Sequence, residues 1–205
     1  WDFLAKQFEE AYAMKDHLTH VSPRVQNRNL PYTPVAPSDT MQNEPDTDFD
    51  LSQNQEWVRR IFAKWKKSGT EEPEIIPLQI GAETVVCKNR YKYLDRCQND
   101  EVCICEMSQA DSAQVEKIIE IAETDPAGWR KTTLEERHRI MYEAANRLAD
   151  MRGDLIGCMC AVTGKTVIEG DVEVSEAVDY ARFYTTAMKK FAALDDIEIK
   201  PKGTI

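Results

Sequence analysis

The chain has 205 residues, of which 42% are hydrophobic and 30% charged, and its formal net charge is −10. This length and composition are typical of a soluble globular protein and exclude collagen-like and wholly disordered classes. No apolar run approaches the ~20 residues that a bilayer span needs. The acidic balance disfavours nucleic acid as a partner, because a negative surface repels phosphate.

The first fifty residues divide into a helix and a connector. Apolar residues at helical spacing predict a helix over 2–18. Five prolines interrupt 19–50, which predicts an extended connector that lies over a surface or stays mobile. The stretch 43–50 carries several carboxylates but lacks the glycine and terminal Glu of a calcium loop, so we expect a solvated charge run.

The next segment predicts a helix followed by short strands. Ser52 is a candidate N-cap, with Glu56 near the position of a capping-box acid, and Gly69 is expected to stop this helix. Alternating patterns predict a small antiparallel ribbon, with a turn at 99–100, built from the segments 73–81, 84–87, 92–97 and 101–107.

The remaining sequence is helical. Helices are predicted from Asp111 to before Pro126, with Val115, Ile118, Ile119 and Ala122 buried, and from a Thr133–Glu136 capping box to Asp150. A short helix over 154–163 should end at Gly164, a long acidic helix should span about 169–193, and alternation over 196–205 predicts a strand.

The cysteines, His138 and a Thr-Gly-Lys sequence are candidates for metal, catalytic or phosphate sites, but their sequence context does not favour these functions. The six cysteines are expected to be free, buried thiols, since no secretory signal precedes them. A zinc site from Cys97, Cys103 and Cys105 is the alternative, but their spacing is not that of a zinc knuckle. His138 lies on an apolar helix stripe, which favours a satisfied interior histidine. Thr163-Gly-Lys165 lacks the glycine spacing of a phosphate loop and indicates a helix stop.

Four segments in a fixed order carry a family resemblance. Ser108–Asp111 opens a helix, Trp129–Arg137 contains the capping box, Leu155–Lys165 ends in Thr-Gly-Lys, and Glu173–Tyr184 lies in the acidic helix. Together they resemble the N-terminal part of the aldehyde dehydrogenase superfamily. With 43–49 and 76–81, the pattern looks most like the L-glutamate γ-semialdehyde (1-pyrroline-5-carboxylate) dehydrogenase branch, as found in bifunctional proline utilization A proteins.

This resemblance implies an α/β parent fold, of which this chain would be a mostly α-helical part with a small antiparallel ribbon. It divides the chain into a connector, 1–75, and the first part of a dehydrogenase domain, 76–205. The implied activity is NAD-dependent oxidation of L-glutamate γ-semialdehyde to L-glutamate in proline catabolism, in the cytoplasm. FAD would serve the parent only if a proline dehydrogenase domain precedes this segment.

The resemblance also implies what this segment lacks. In the family the nucleophilic Cys, the general-base Glu, the oxyanion-hole Asn and the cofactor-binding glycines all follow the position of residue 205. The isolated segment is therefore expected to be inactive and to bind neither NAD nor zinc. Its expected partners are the rest of the dehydrogenase domain, the aldehyde substrate in the parent and, through exposed apolar stripes, further copies of itself.

One substrate contact is carried over from the family. Glu176, at the family's Glu-Ala-Val-Asp position, would line the aldehyde entry tunnel, where a carboxylate favours the α-ammonium group of the substrate. Tyr180 and Phe183 share its helix face by i, i+4 and i+7 spacing. The alternative is an ordinary solvated helix face.

Two other functions stay open at this stage. The acidic helix and the Trp57/Trp65 stripe would suit a stand-alone interaction module with a basic or helical partner. A cysteine-based metal or redox module is the second rival.

Overall fold

A computed structural model of the chain describes residues 1–17, 21–66, 69, 72–98, 101–200 and 203. Within this part the chain is mostly helical, as predicted. The helices are α1 (Asp2–Ala13), α2 (Ser52–Trp65), α3 (Ser112–Thr124), α4 (Leu134–Asp150), α5 (Arg152–Thr163) and α6 (Val167–Ala192). Single 3-10 turns occupy Lys15–His17, Arg96–Gln98 and Trp129–Lys131.

The core lies where α6 packs against α4 and α5. Small and branched side chains let these helices approach closely. The buried members of this core are Ala145, Ala149, Ile156, Cys160, Val174, Val178 and Ala181. Three capping boxes fix the starts of the helices: Asp111 with Gln114, Thr133 with Glu136, and Thr166 with Glu169. The second of these was predicted from the sequence and is confirmed.

Helix α2 docks on α5 through a glycine. A Cβ built on Gly157 would lie 2.2 Å from Cδ1 of Trp65, so only a residue without a side chain lets this indole rest on the helix. The predicted N-cap of α2 is wrong: Leu51 occupies the cap position and Ser52 is the first helical residue. Buried Asn54 instead ties the first turn to the preceding segment, accepting from the Arg28 N–H at 2.8 Å.

The strands are short and form two sheets. They are β1 (Glu74–Ile76), β2 (Leu78–Ile80), β3 (Glu83–Val85), β4 (Arg90–Leu94) and β5 (Cys103–Ser108). β2 and β3 pair antiparallel, and the other sheet has the order β1-β5-β4. The β4–β5 pair is antiparallel, whereas β1 runs parallel to β5, which alternation alone does not reveal. The predicted turn at 99–100 lies outside the described residues.

Two further sequence predictions differ from the structure. The α3 residues Val115, Ile118, Ile119 and Ala122 are exposed rather than buried, because α3 has few neighbours among the described elements. Residues 196–200 form no strand, since a strand needs a partner for its backbone and neither described sheet extends to them. The rest of that predicted strand is outside the described residues, apart from Gly203.

The two parts of the N-terminal region, α1 and residues 21–51, differ in how they pack against the rest of the chain. No residue of α1 is buried, although the helix carries Phe3, Leu4, Phe8 and Tyr12. Residues 21–51, by contrast, lie along α2, α4 and α6 and bond to each of them. Among the described residues, no helix combines the length and the apolar character needed to cross a membrane.

Candidate functional site

The three predicted substrate contacts lie together on the outer face of α6. Glu176 is exposed, and Tyr180 and Phe183 keep 55% and 49% of their surface accessible. The helix is continuous through this region, so the predicted i, i+4 and i+7 relation holds. Their role in binding a substrate stays a prediction.

Tyr184 extends this face and was missed by sequence reasoning. Its ring centroid lies 5.8 Å from that of Tyr180 and 5.5 Å from that of Phe183. Its spacing of four residues from Tyr180 was the available signal. We call Glu176, Tyr180, Phe183 and Tyr184 the outer face of α6.

The outer face has a defined chemical capacity. A carboxylate attracts an ammonium group, and the faces of aromatic rings attract cations and pack against alkyl carbon. The combination suits a ligand that has an ammonium group beside an apolar chain. In full contact with water such attractions are weak, so this face gains binding strength only where something covers it.

The inner face of α6 carries charged residues. The Glu44 side chain is only 4% exposed and contacts Arg152 and Arg182, while Arg28 lies farther away at 3.8 Å. One guanidinium nitrogen of Arg182 lies 3.1 Å from its carboxylate, and one of Arg152 lies at 3.4 Å. A carboxylate held this way compensates two buried positive charges, which would otherwise be strongly unfavourable.

A second carboxylate completes the buried cluster. Asp171 accepts from the Arg152 guanidinium at 2.8 Å and from both the hydroxyl and the N–H of Thr47 at 2.6 Å. Arg152 also donates to the Ser175 hydroxyl at 3.1 Å. The two carboxylates therefore fasten 21–51 to the start of α5 and to α6. We call Glu44, Asp171, Arg152 and Arg182 the ionic cluster.

Two residues at the edge of the ionic cluster have shifted ionisation. Burial is the main cause that raises the pKa of Tyr32, and the negative charge of Glu44 adds to it. The Tyr32 hydroxyl accepts from Arg182 at 3.0 Å and donates to Asn146 at 3.1 Å. Burial lowers the pKa of Arg28, and the like charge of Arg152 lowers it further.

The ionic cluster corrects one prediction. The carboxylates of 43–50 are not a uniformly solvated run, since Glu44 is buried, although Asp46 and Asp50 remain exposed. Arg182 pairs across the fold with Glu44, which lies 138 residues away in the sequence. A sequence signal existed: Asp171 and Arg182 fall on the same helical stripe as Val174 and Val178, where a charge needs a partner.

His138 is interior, as predicted, but it is not fully satisfied. Its ring is buried and stacks on Tyr142 with centroids 4.7 Å apart. Within the part of the chain that the structure describes, its Nδ1 has no hydrogen-bond partner. A neighbouring cavity of about 410 Å³ is lined by His138 and by the charged residues Asp39, Glu135 and Lys189.

Thr163-Gly-Lys165 is a helix stop, with Gly164 in the left-handed region at φ 73°.

The cysteines are free thiols, but they are not uniformly buried. Cys160 is buried, Cys97 is exposed and the other four are half-buried. Among the described residues, no three or more His, Cys, Asp or Glu side chains converge as metal ligands. Cys103 and Cys105 share one face of β5, as their spacing requires.

The sequence of these elements matches the model of a known protein family. The model of the aldehyde dehydrogenase family matches residues 87–204, more than half of the chain. The chain belongs to the aldehyde dehydrogenase family. The 1-pyrroline-5-carboxylate dehydrogenase of a Geobacillus species is 29% identical over 163 residues, covering 79% of this chain and 31% of the relative. The predicted resemblance to this branch is thereby confirmed.

Solved structures show the same fold. Proline utilization A from Bdellovibrio bacteriovorus, inactivated by N-propargylglycine, matches with a TM-score of 0.69 and 21% identity, over 86% of this chain and 17% of that one. A 1-pyrroline-5-carboxylate dehydrogenase from Thermus with bound NAD matches with a TM-score of 0.69 and 23% identity, over 79% and 30%. The chain thus spans about a third of the length of its dehydrogenase relatives.

The described glycines of α5 serve helix packing and helix termination. A dinucleotide site needs clustered glycines at the start of a helix, where the backbone approaches the pyrophosphate. Gly153 and Gly157 instead lie inside α5 and pack against the side chains of Trp57, Ile61 and Trp65. Gly164 caps a helix end, where the dipole disfavours an anion.

Proposed function

We propose that these 205 residues serve as the N-terminal part of an NAD-dependent dehydrogenase that oxidises L-glutamate γ-semialdehyde to L-glutamate. The observation that carries this proposal is the family match over 87–204, joined to a relative named for the same reaction across 79% of the chain. The NAD bound in the Thermus neighbour supports the choice of cofactor. In the parent, FAD would belong to a proline dehydrogenase unit, as the resemblance to bifunctional proline utilization A proteins implies.

In this proposal the outer face of α6 is one wall of the substrate entry. The carboxylate of Glu176 attracts the α-ammonium group of the incoming semialdehyde, and the rings of Tyr180 and Phe183 pack along its carbon chain. The rest of the dehydrogenase domain covers this face and excludes water from it. Covering strengthens the attraction, because a charge pair gains energy as the surrounding dielectric falls.

The ionic cluster has a supporting role in this proposal. It holds α5 and α6 in register through contacts made on the side of α6 opposite the outer face. The chemistry itself, which is aldehyde capture, hydride transfer and hydrolysis, belongs to residues beyond this chain in the family pattern. We therefore expect the isolated 205 residues to reduce no NAD when supplied with the semialdehyde.

The test uses the source polypeptide that carries these residues. Its intact mass is measured first, and NADH formation is then followed with the semialdehyde as substrate. We expect a mass well above that of 205 residues, activity with this substrate, and none from the isolated chain. A source polypeptide of 205 residues, or one that is inactive with the semialdehyde, would overturn the proposal.

The Glu176→Gln variant tests the role of the outer face. We expect the KM for the semialdehyde to rise by up to about fivefold, the size typical of one partly screened charge pair, with kcat and the KM for NAD unchanged. The matched control is Glu173→Gln, which removes an exposed carboxylate of the same helix that pairs with Lys165. Equal KM values in both variants would limit Glu176 to a solvated surface role.

A second candidate function is favoured by α1. All of its large apolar side chains are exposed, including Phe3, Phe8 and Tyr12, which leaves an aromatic helix available to a partner. In this alternative the chain acts as an acidic helical interaction module without catalysis. A source polypeptide of 205 residues that is inactive and that loses self-association in a Phe8→Ser variant would support this function.

A further inference from the structure

Two cysteines from distant parts of the sequence line one cavity. The cavity, of about 260 Å³, lies between the 3-10 turn Arg96–Gln98 and the last turns of α5. Its lining residues include Phe62, Trp65, Asp95 and both Cys97 and Cys160. Two cysteines that are 63 residues apart in the sequence thus line one small space.

The contact between the two cysteines is direct. The Cys97 thiol donates to the backbone oxygen of Cys160 at a sulfur–oxygen distance of 3.3 Å. That oxygen also accepts from the Gly164 N–H at 3.0 Å, so it belongs to the capped end of α5. Cys97 is itself held in place, since its N–H donates to the Asp95 carboxylate at 2.8 Å.

The two thiols differ in their access to solvent. Cys97 is exposed and Cys160 is buried. Burial raises the pKa of the Cys160 thiol, and the closeness of Cys97 raises it further. Cys160 therefore stays protonated at neutral pH, and Cys97 is the sulfur that a dissolved oxidant meets first.

We propose that Cys97 and Cys160 form an oxidative modification site, in which a hydroperoxide converts the pair into a disulfide. In the first step the Cys97 sulfur attacks hydrogen peroxide, the O–O bond breaks, and sulfenic acid and water form. In the second step the Cys160 sulfur displaces hydroxide from the sulfenic acid. The S–S bond forms, and the displaced hydroxide leaves as a second water after taking the thiol proton.

The other cysteines are less suited to such a bond. Cys103 and Cys105 are two residues apart in β5, so the strand backbone holds their Cβ atoms side by side in parallel. Cys158 lies near Cys105, and burial is the first cause that raises the pKa of both thiols. Neither has the exposed sulfur that Cys97 offers to an oxidant.

Peptide mapping of the oxidised chain tests the proposal. The folded chain is treated with hydrogen peroxide, unreacted thiols are alkylated, and the protein is cleaved before aspartate without reduction. This cleavage releases 95–99, whose one cysteine is Cys97, separately from 100–110 with Cys103 and Cys105, and from 154–170 with Cys158 and Cys160. We expect 95–99 joined to 154–170, with loss of two hydrogens and reversal by dithiothreitol.

Three variants assign the bond. Cys158→Ser should keep the cross-link, whereas Cys160→Ser should abolish it and leave Cys97 as sulfenic or sulfinic acid. Cys103→Ser is the matched control on β5 and should change nothing. Circular dichroism shows whether each variant is folded. A link from 95–99 to 100–110, a link that survives Cys160→Ser, or over-oxidation of Cys97 without a link in the unsubstituted chain would overturn the proposal.

Discussion

The two faces of α6 reverse the usual distribution of residues on a helix. The inner face buries Asp171 and Arg182 among aliphatic residues, while the outer face presents Tyr180, Phe183 and Tyr184 to solvent. The buried charges are stable because 21–51 supplies Glu44 and Thr47 as their partners. The comparison shows that a residue's polarity does not decide its side of a helix; the available partner decides it.

The largest expected effect comes from breaking the inner face. Glu44→Ala leaves Arg152 and Arg182 buried without their shared carboxylate, and we expect the free energy of unfolding to fall by about 3–5 kcal/mol. Urea unfolding followed by circular dichroism measures this. Asp46→Ala, an exposed carboxylate two residues away, should change the value by less than about 0.5 kcal/mol. Equal changes in the free energy of unfolding for the two substitutions would show that the Glu44 carboxylate does not stabilise the buried arginines.

A matched pair of truncations compares the two faces directly. Val178→Ala removes two buried methyl groups from the inner face. We expect the free energy of unfolding to fall by about 1–2 kcal/mol, because the transfer free energy of these groups is lost and a cavity is left behind. Phe183→Ala removes a larger but half-exposed side chain, and we expect a change of about 0.5 kcal/mol or less. Thermal and urea unfolding of both variants give the order. A reversed order would mean that the outer face is already packed in the isolated chain.

The smallest effect concerns the start of α6. The hydrogen bonds from the backbone N–H and hydroxyl of Thr166 lower the pKa of Glu169 below its ordinary value of 4.5. A carboxyl whose pKa is lower in the folded state stabilises the fold above pH 4.5 and loses this contribution as pH falls through the folded pKa. Glu169→Gln should therefore flatten the acid limb of a stability–pH profile.

Glu176→Gln is the control for that profile. It removes a carboxylate from an exposed position in the middle of the same helix, away from the cap. We expect it to leave the acid limb closer to that of the unsubstituted chain than Glu169→Gln does. An unchanged limb in Glu169→Gln would contradict a stabilising role for this capping box.

Sequence reasoning predicted the parts of the fold that depend on local pattern. The Thr133 capping box, the Gly164 stop and the helical spacing of Glu176, Tyr180 and Phe183 all depend on residues within a turn or two of each other. The family resemblance added what local pattern could not, and the family match confirms it.

The errors arose where the partner is distant in sequence. The charges at Glu44 and Arg182 look solvated when each is considered with its neighbours, yet they meet across 138 residues. Residues 196–200 alternate like a strand, but alternation does not supply the backbone partner that a strand needs. The prediction that the apolar residues of α3 are buried was wrong for the same reason. Helical spacing identifies an apolar face but does not identify the element that would cover it.

The ionic cluster also shows that the part of the chain matched by the family model is shorter than the part that folds together. The family model begins at residue 87, but the carboxylate that neutralises Arg152 and Arg182 comes from residue 44. An expression boundary drawn at the start of the match would remove Glu44 and Thr47 while retaining both arginines. Such a truncated protein would keep every residue that the family model matches and lose the Glu44 carboxylate that pairs with two buried arginines.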